Sequence, residues 1–89
     1  MTDPKQRIEY LRSFLGTIRP GMPSSNYAGW CEHIRSDINV ITDETVQTQA
    51  KTLFDQIVSA IYWPNPSEVY ERVKTKIENL ITYLEKHDC

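Results

Sequence analysis

Between Asn65 and His87 the chain carries an apolar pattern that leaves little freedom of interpretation. Tyr70, Val73, Ile77, Leu80 and Leu84 recur at alternating steps of three and four, and Val69 and Ile81 widen the stripe. Glu71, Arg72, Lys74, Lys76, Glu78 and Glu85 fall elsewhere, which is the signature of an amphipathic helix. Asn65, Pro66 and Glu68 read as its start: a cap, a proline at the first helical position and the third-position glutamate of a capping box. At about 1.5 Å per residue such a helix is roughly 34 Å long. It cannot bury its stripe alone, so the preceding segments must supply a surface to cover it.

Those segments read as three further helices. Asp3, Pro4 and Gln6 form a second capping box, and Ile8, Leu11, Leu15 and Ile18 mark an apolar line with Tyr10 and Phe14 on its flank. This predicts a helix over 4–19, weakened near Gly16 by about 1 kcal/mol relative to alanine. Two prolines and a glycine within 20–23 end it. A second helix over 26–40, capped by Ser24 or Ser25, carries Tyr27, Trp30, Ile34, Ile38 and Ile41, and its β-branched end is weak. A third over 44–62, capped by Thr42 or Asp43, carries Val46, Ala50, Leu53, Ile57 and Ala60, with Phe54, Val58 and Ile61 as a second line. Its apolar arc covers roughly 160°, enough to touch two neighbours. Short connections between four helices predict an all-α, antiparallel up-down four-helix bundle forming one domain over 1–89.

Size and charge narrow the function classes. A chain of 89 residues is enough for one hydrophobic core without metals or disulfides. A net charge of −2 argues against nucleic acid as a partner, and Arg35 is the only basic residue of the second helix. No apolar run is long enough to span a membrane or serve as a signal peptide, so a soluble, cytoplasmic protein is expected. Cys31 and Cys89 are too few for a secreted disulfide framework.

Two ends of the expected bundle gather distinctive side chains. Met22, Phe14, Tyr27, Trp30, Tyr62, Trp63 and Tyr70 map to one end with four of the five prolines. These rings either plug the core or anchor a partner. Tyr62 and Trp63 fall on either side of the third helix's apolar arc, so at least one is expected to face outward. Met22, Tyr27, Trp30, Tyr62, Trp63 and Tyr70 are therefore the first candidate partner-binding set. The opposite end gathers Asp3, Asp37, Asp43, Glu44, Glu85 and Asp88, offset by Lys5, Arg7 and Lys86. Of these, Asp37, Asp43, Glu44, Glu85 and Asp88 form a second candidate, an acidic patch suited to a basic partner. An ordinary solvated rim explains the same residues, because acids at helix starts complement the dipole.

No constellation suggests catalysis or a cofactor. Cys31 and His33, and likewise His87 and Cys89, make a mirrored Cys-x-His pair, but residues two apart on a helix diverge by about 200°. Cys31 is expected as a small buried side chain and His33 as a solvent-facing one. Glu68-x-x-Glu71 and Glu85-x-x-Asp88 resemble the paired acidic motifs by which all-helical nucleotide pyrophosphohydrolases hold magnesium. Here both lie on one helix, about 25 Å apart, and cannot share an ion. The expectation is a non-catalytic protein-binding module without metal or cofactor, in its most concrete form a neutralising protein of the immunity or antitoxin kind that occludes a toxin or an enzyme with a basic site. The alternatives are a helical adaptor or regulatory subunit that self-associates as a homodimer, and a small all-helical enzyme using a carboxylate-bound metal.

Overall fold

The computed structural model describes residues 3–88, which form four helices: α1 (Pro4–Thr17), α2 (Ser24–Asn39), α3 (Glu44–Ile61) and α4 (Pro66–His87). Local chemistry sets the starts of three of them. At α1 the Asp3 carboxylate accepts from the Gln6 N–H at 2.8 Å while the Gln6 side chain accepts from the Asp3 N–H at 3.2 Å, a complete capping box. At α3 the Asp43 carboxylate accepts from the Val46 N–H at 3.1 Å. At α4 the expected box takes another form. The Asn65 Oδ1 accepts from the backbone N–H and the hydroxyl of Ser67, and its Nδ2 donates to the Glu68 carboxylate at 2.8 Å. The Glu68 N–H is already held by the Asn65 carbonyl at 3.0 Å, so it is not free for the side chain.

Helix α2 departs from expectation at its start. Its cap is Pro23, with no side-chain hydrogen bond, and Ser24 and Ser25 lie inside the helix, where their hydroxyls cannot serve the first turn. The preceding Pro20-Gly21 pair makes a tight turn in which the Met22 N–H donates to the Arg19 carbonyl at 3.2 Å. Gly21 sits at φ 80°, a left-handed conformation that L side chains rarely adopt.

Contacts between helices fix the direction of each neighbour. Tyr10 meets His33 and Trp30, and Phe14 meets Trp30 and Tyr27, so α1 and α2 run antiparallel. Arg7 pairs with Asp88 and Arg12 with Glu85, which sets α1 against α4 in the same sense. Arg35 lies over Phe54, and the Gln47 side chain donates to the Asn39 carbonyl, joining α2 to α3. Each helix packs on its two neighbours around the square and none reaches across the diagonal. The result is an antiparallel up-down four-helix bundle measuring 36 × 19 × 19 Å.

The four stripes meet in one core from Ile8 to Leu84. Two stripes are rotated from their expected phase. In α1, Phe14 is fully enclosed while Leu15 is only half-buried, because the α2 rings of Tyr27 and Trp30 close over Phe14. In α3, Phe54 displaces Leu53 from the centre in the same way, under the Arg35 guanidinium. No helix among the described residues is long and apolar enough to cross a membrane.

Candidate partner-binding surface

The surface of interest lies where α3 stops. The Tyr62 N–H donates to the Val58 and Ala60 carbonyls and closes the helix, and Trp63 follows before Pro64 and Pro66 redirect the chain into α4. Beyond the last helical residue the 3.6-residue phase that carries Ile57, Ala60 and Ile61 inward no longer applies. Both rings consequently face outward: Tyr62 is 67% exposed and Trp63 39% exposed. Of the large apolar side chains only Val40, in the loop before α3, is comparably exposed among the described residues.

Trp63 is held in place. The Arg72 guanidinium lies 3.8 Å from the centre of its ring, and Glu68, one turn earlier on α4, holds Arg72 at 3.1 Å. The Arg72 Nε is buried and makes no hydrogen bond, so the indole face is its compensation. The ring therefore stands as a fixed ridge between two concavities. On one side, a groove of about 430 Å³ between α3 and α4 runs past Thr52, Ser59, Ala60 and Lys76. On the other, a cleft of about 300 Å³ is bordered by Met22, Trp63, Pro66, Val69 and Tyr70, with Tyr27 and Ile61 at its base.

The structure thus brings four of the six expected aromatic-end residues to one cleft and separates the other two. Tyr27 belongs to the cleft but not to its exposed surface: it is 1% exposed, edge-on to Phe14, because the start of α2 faces inward against both α1 and α3. As a contact residue it is corrected to a base residue. Burial pushes its phenol above the ordinary value, with neighbouring Tyr70 adding to the shift. Trp30 lies elsewhere, half-buried on the α1–α2 face, stacked on Phe14 with ring centres 5.2 Å apart and in contact with Tyr10 at 4.9 Å. Tyr62 borders a second cleft of about 180 Å³ between α2 and α3, together with Cys31 and Arg35, and Tyr27 lines both clefts. There burial raises the Cys31 thiol pKa, partly opposed by Arg35.

The acidic end reads differently once its partners are visible. Asp88 is a buried group whose carboxylate is gripped by Arg7 at 2.9 and 3.2 Å. Asp37 is also buried and meets His33 at 3.2 Å, with the His33 ring stacked 3.8 Å from Tyr10. Asp43 caps α3, and Glu85 pairs with Arg12. Glu44 alone of the five is exposed without a hydrogen bond or ion pair among the described residues. Of the five acids, the Asp37 and Asp88 side chains are thus enclosed, while Asp43, Glu44 and Glu85 remain exposed, two of them engaged in a cap and an ion pair.

The metal-binding motifs are not brought together either. Cys31 lines a cleft, His33 stacks on Tyr10, and His87 lies against Tyr83 on another helix, while Cys89 lies outside the described residues. Among the described residues no three His, Cys, Asp or Glu side chains are grouped to hold an ion. Sequence reasoning paired Arg72 with Glu68, as the structure has it, but passed over Arg7, Tyr10 and the contact of Arg72 with Trp63. What it missed in each case lies on another helix or beyond a turn.

Fold and surface together define a small all-α four-helix bundle with exposed aromatic side chains at one end. Comparison with protein-family models, curated proteins and solved structures finds no match for this chain.

Proposed function

We propose that this chain is a non-catalytic protein-binding module that engages its partner through the end of the bundle carrying Trp63. The observation that carries the reading is an indole fixed by Arg72 yet 39% exposed, standing between two concavities. Tryptophan, tyrosine and arginine are the residue types that dominate interface energies, and a side chain already held in place loses little entropy on docking.

The narrower form of the proposal is a neutralising protein that occludes another protein's working site. Its support comes from the aromatic end, since four of the five candidate acids already have a partner within this chain. Capture should accordingly depend on apolar contact more than on charge steering.

The test is affinity capture with the purified chain and its Trp63→Ala variant at low and high salt, with retained proteins identified by mass spectrometry. The expected result is one stoichiometric protein that survives high salt and is lost with Trp63→Ala. Equal capture by both chains, or loss of binding only in proportion to loss of folding, overturns the reading.

A further inference from the structure

We infer that the groove between α3 and α4 beside Trp63 receives an acidic side chain of the partner, with its carboxylate between Arg72 and Lys76. This rests on the protein-binding reading and gives a sign to what binds: negative, where the acidic rim of the sequence suggested a basic partner.

A charge imbalance is the first support. The groove is lined by two cations, Arg72 and Lys76, and by one acid, Asp55. Lys76 is half-buried yet forms no hydrogen bond or ion pair among the described residues, and Asp55 forms none either. The one acid on the wall therefore stands outside ion-pair reach of both cations. Glu68 engages Arg72 through Nη2 alone, and its carboxylate also accepts from Asn65 Nδ2. Arg72 Nη1 makes no bond among the described residues. A partly desolvated ammonium without a counterion is where an added carboxylate gains most, because the walls of a groove strengthen the attraction.

Register is the second. Arg72 and Lys76 are four positions apart on α4, so they project to one side, about 6 Å apart along the axis, and repel each other. A carboxylate seated between them meets both and removes that repulsion. Its two oxygens match two charged donors.

The remaining lining favours a side chain over a free ion. Ala60 and the Trp63 ring border the same groove and offer apolar contact to the methylenes that carry a carboxylate. Across on α3, the Gln56 and Ser59 side chains have no hydrogen bond among the described residues and can serve the adjoining peptide group. A volume of about 430 Å³ admits a glutamate with its flanking peptide groups. An ion pair enclosed in this way is screened much less than an exposed one, so it is compatible with capture that survives high salt.

The test titrates the full, isotope-labelled chain by NMR at constant ionic strength with N-acetyl-leucyl-glutamate amide, with its neutral glutamine counterpart and with inorganic phosphate. The glutamate peptide should shift the Gln56, Ser59 and Lys76 amide signals and the Trp63 indole signal saturably, and the other two probes should bind several-fold more weakly. Lys76→Gln should weaken the glutamate peptide roughly two- to fivefold, and Asp55→Asn should strengthen it by a similar factor. Lys74→Gln, outside the groove, should leave it unchanged. No saturable shift, equal binding of the glutamine peptide, tighter binding of phosphate, unchanged affinity in Lys76→Gln or no gain in Asp55→Asn overturns the assignment. If that happens while Trp63-dependent capture of a protein holds, the groove assignment fails and the protein-binding reading stands. Specific binding of the glutamate peptide with no Trp63-dependent capture overturns a partner protein as the source of the carboxylate.

Discussion

Arg7 and Asp88 are 81 positions apart in sequence and form a two-pronged ion pair between the first turn of α1 and the cap of α4, both side chains more than nine-tenths buried. Removing one member leaves the other charged and enclosed, which typically costs about 3–5 kcal/mol. Arg7→Ala should therefore lower the melting temperature by more than 10 °C, at roughly 4–8 °C per kcal/mol for a domain of this size. Thermal unfolding followed by circular dichroism decides it, and a loss of only a degree or two would show that the pair contributes little.

Asp43 tests whether the acidic end serves the fold. Its carboxylate caps α3 through the Val46 N–H, so Asp43→Ala should cost about 1 kcal/mol in urea denaturation. Glu44→Ala, at an exposed neighbour without such a bond, should change stability by less than about half that. Equal effects at the two positions would remove the capping account.

Phe14 is enclosed between the edge of Tyr27 and the face of Trp30. Phe14→Ala should cost about 3–5 kcal/mol and should also alter Trp30 fluorescence and near-ultraviolet circular dichroism, because the stacked ring is lost. Trp63→Ala, by contrast, removes a partly exposed ring and one cation–π contact, and should cost about 1 kcal/mol or less. Comparable destabilisation by the two substitutions would place Trp63 in the core and not on a binding surface.

Alkaline pH probes the buried phenols. Burial raises the Tyr27 phenol above its ordinary value of 10.0 and raises Tyr10 likewise, with Asp37 and Cys31 adding at Tyr10. The unfolded chain then releases these protons first, so stability is fully present below about pH 9 and declines as pH rises through 10. Urea midpoints at pH 8, 10 and 11 should fall in that order, and Tyr27→Phe should flatten the decline. An unchanged slope in that variant would show that Tyr27 takes no part in it.

Cys31 offers a chemical readout of the same packing. Its thiol pKa is raised by burial, with Arg35 opposing, so less thiolate is present at pH 8 than in an unfolded chain. In a Cys89→Ser background, iodoacetamide should alkylate folded Cys31 several-fold more slowly than the urea-unfolded protein. Equal rates would mean the thiol is freely accessible and unperturbed.

Much of this fold is legible one turn at a time. The caps at Asp3 and Asp43, the prolines at 4 and 66, and the stripe from Val73 to Leu84 each act over three or four residues, so the pattern alone places the helix boundaries close to where they stand. That at least one of Tyr62 and Trp63 faces outward is also readable, because the two fall on either side of the α3 apolar arc; both do. Other features depend on what lies opposite. Phe14 rather than Leu15 fills the core because two α2 rings close over it, and Tyr27 sinks while Tyr62 stays out because only one of them has helices on both sides. Asp88 becomes a buried ion partner, not a surface acid, because antiparallel packing carries the end of α4 to the start of α1. Sequence by itself determined the helices and their apolar faces, since those arise from short-range hydrogen bonding and periodicity. Tertiary structure decided which charges are spent and which rings remain available, since burial and pairing are set by groups distant along the chain.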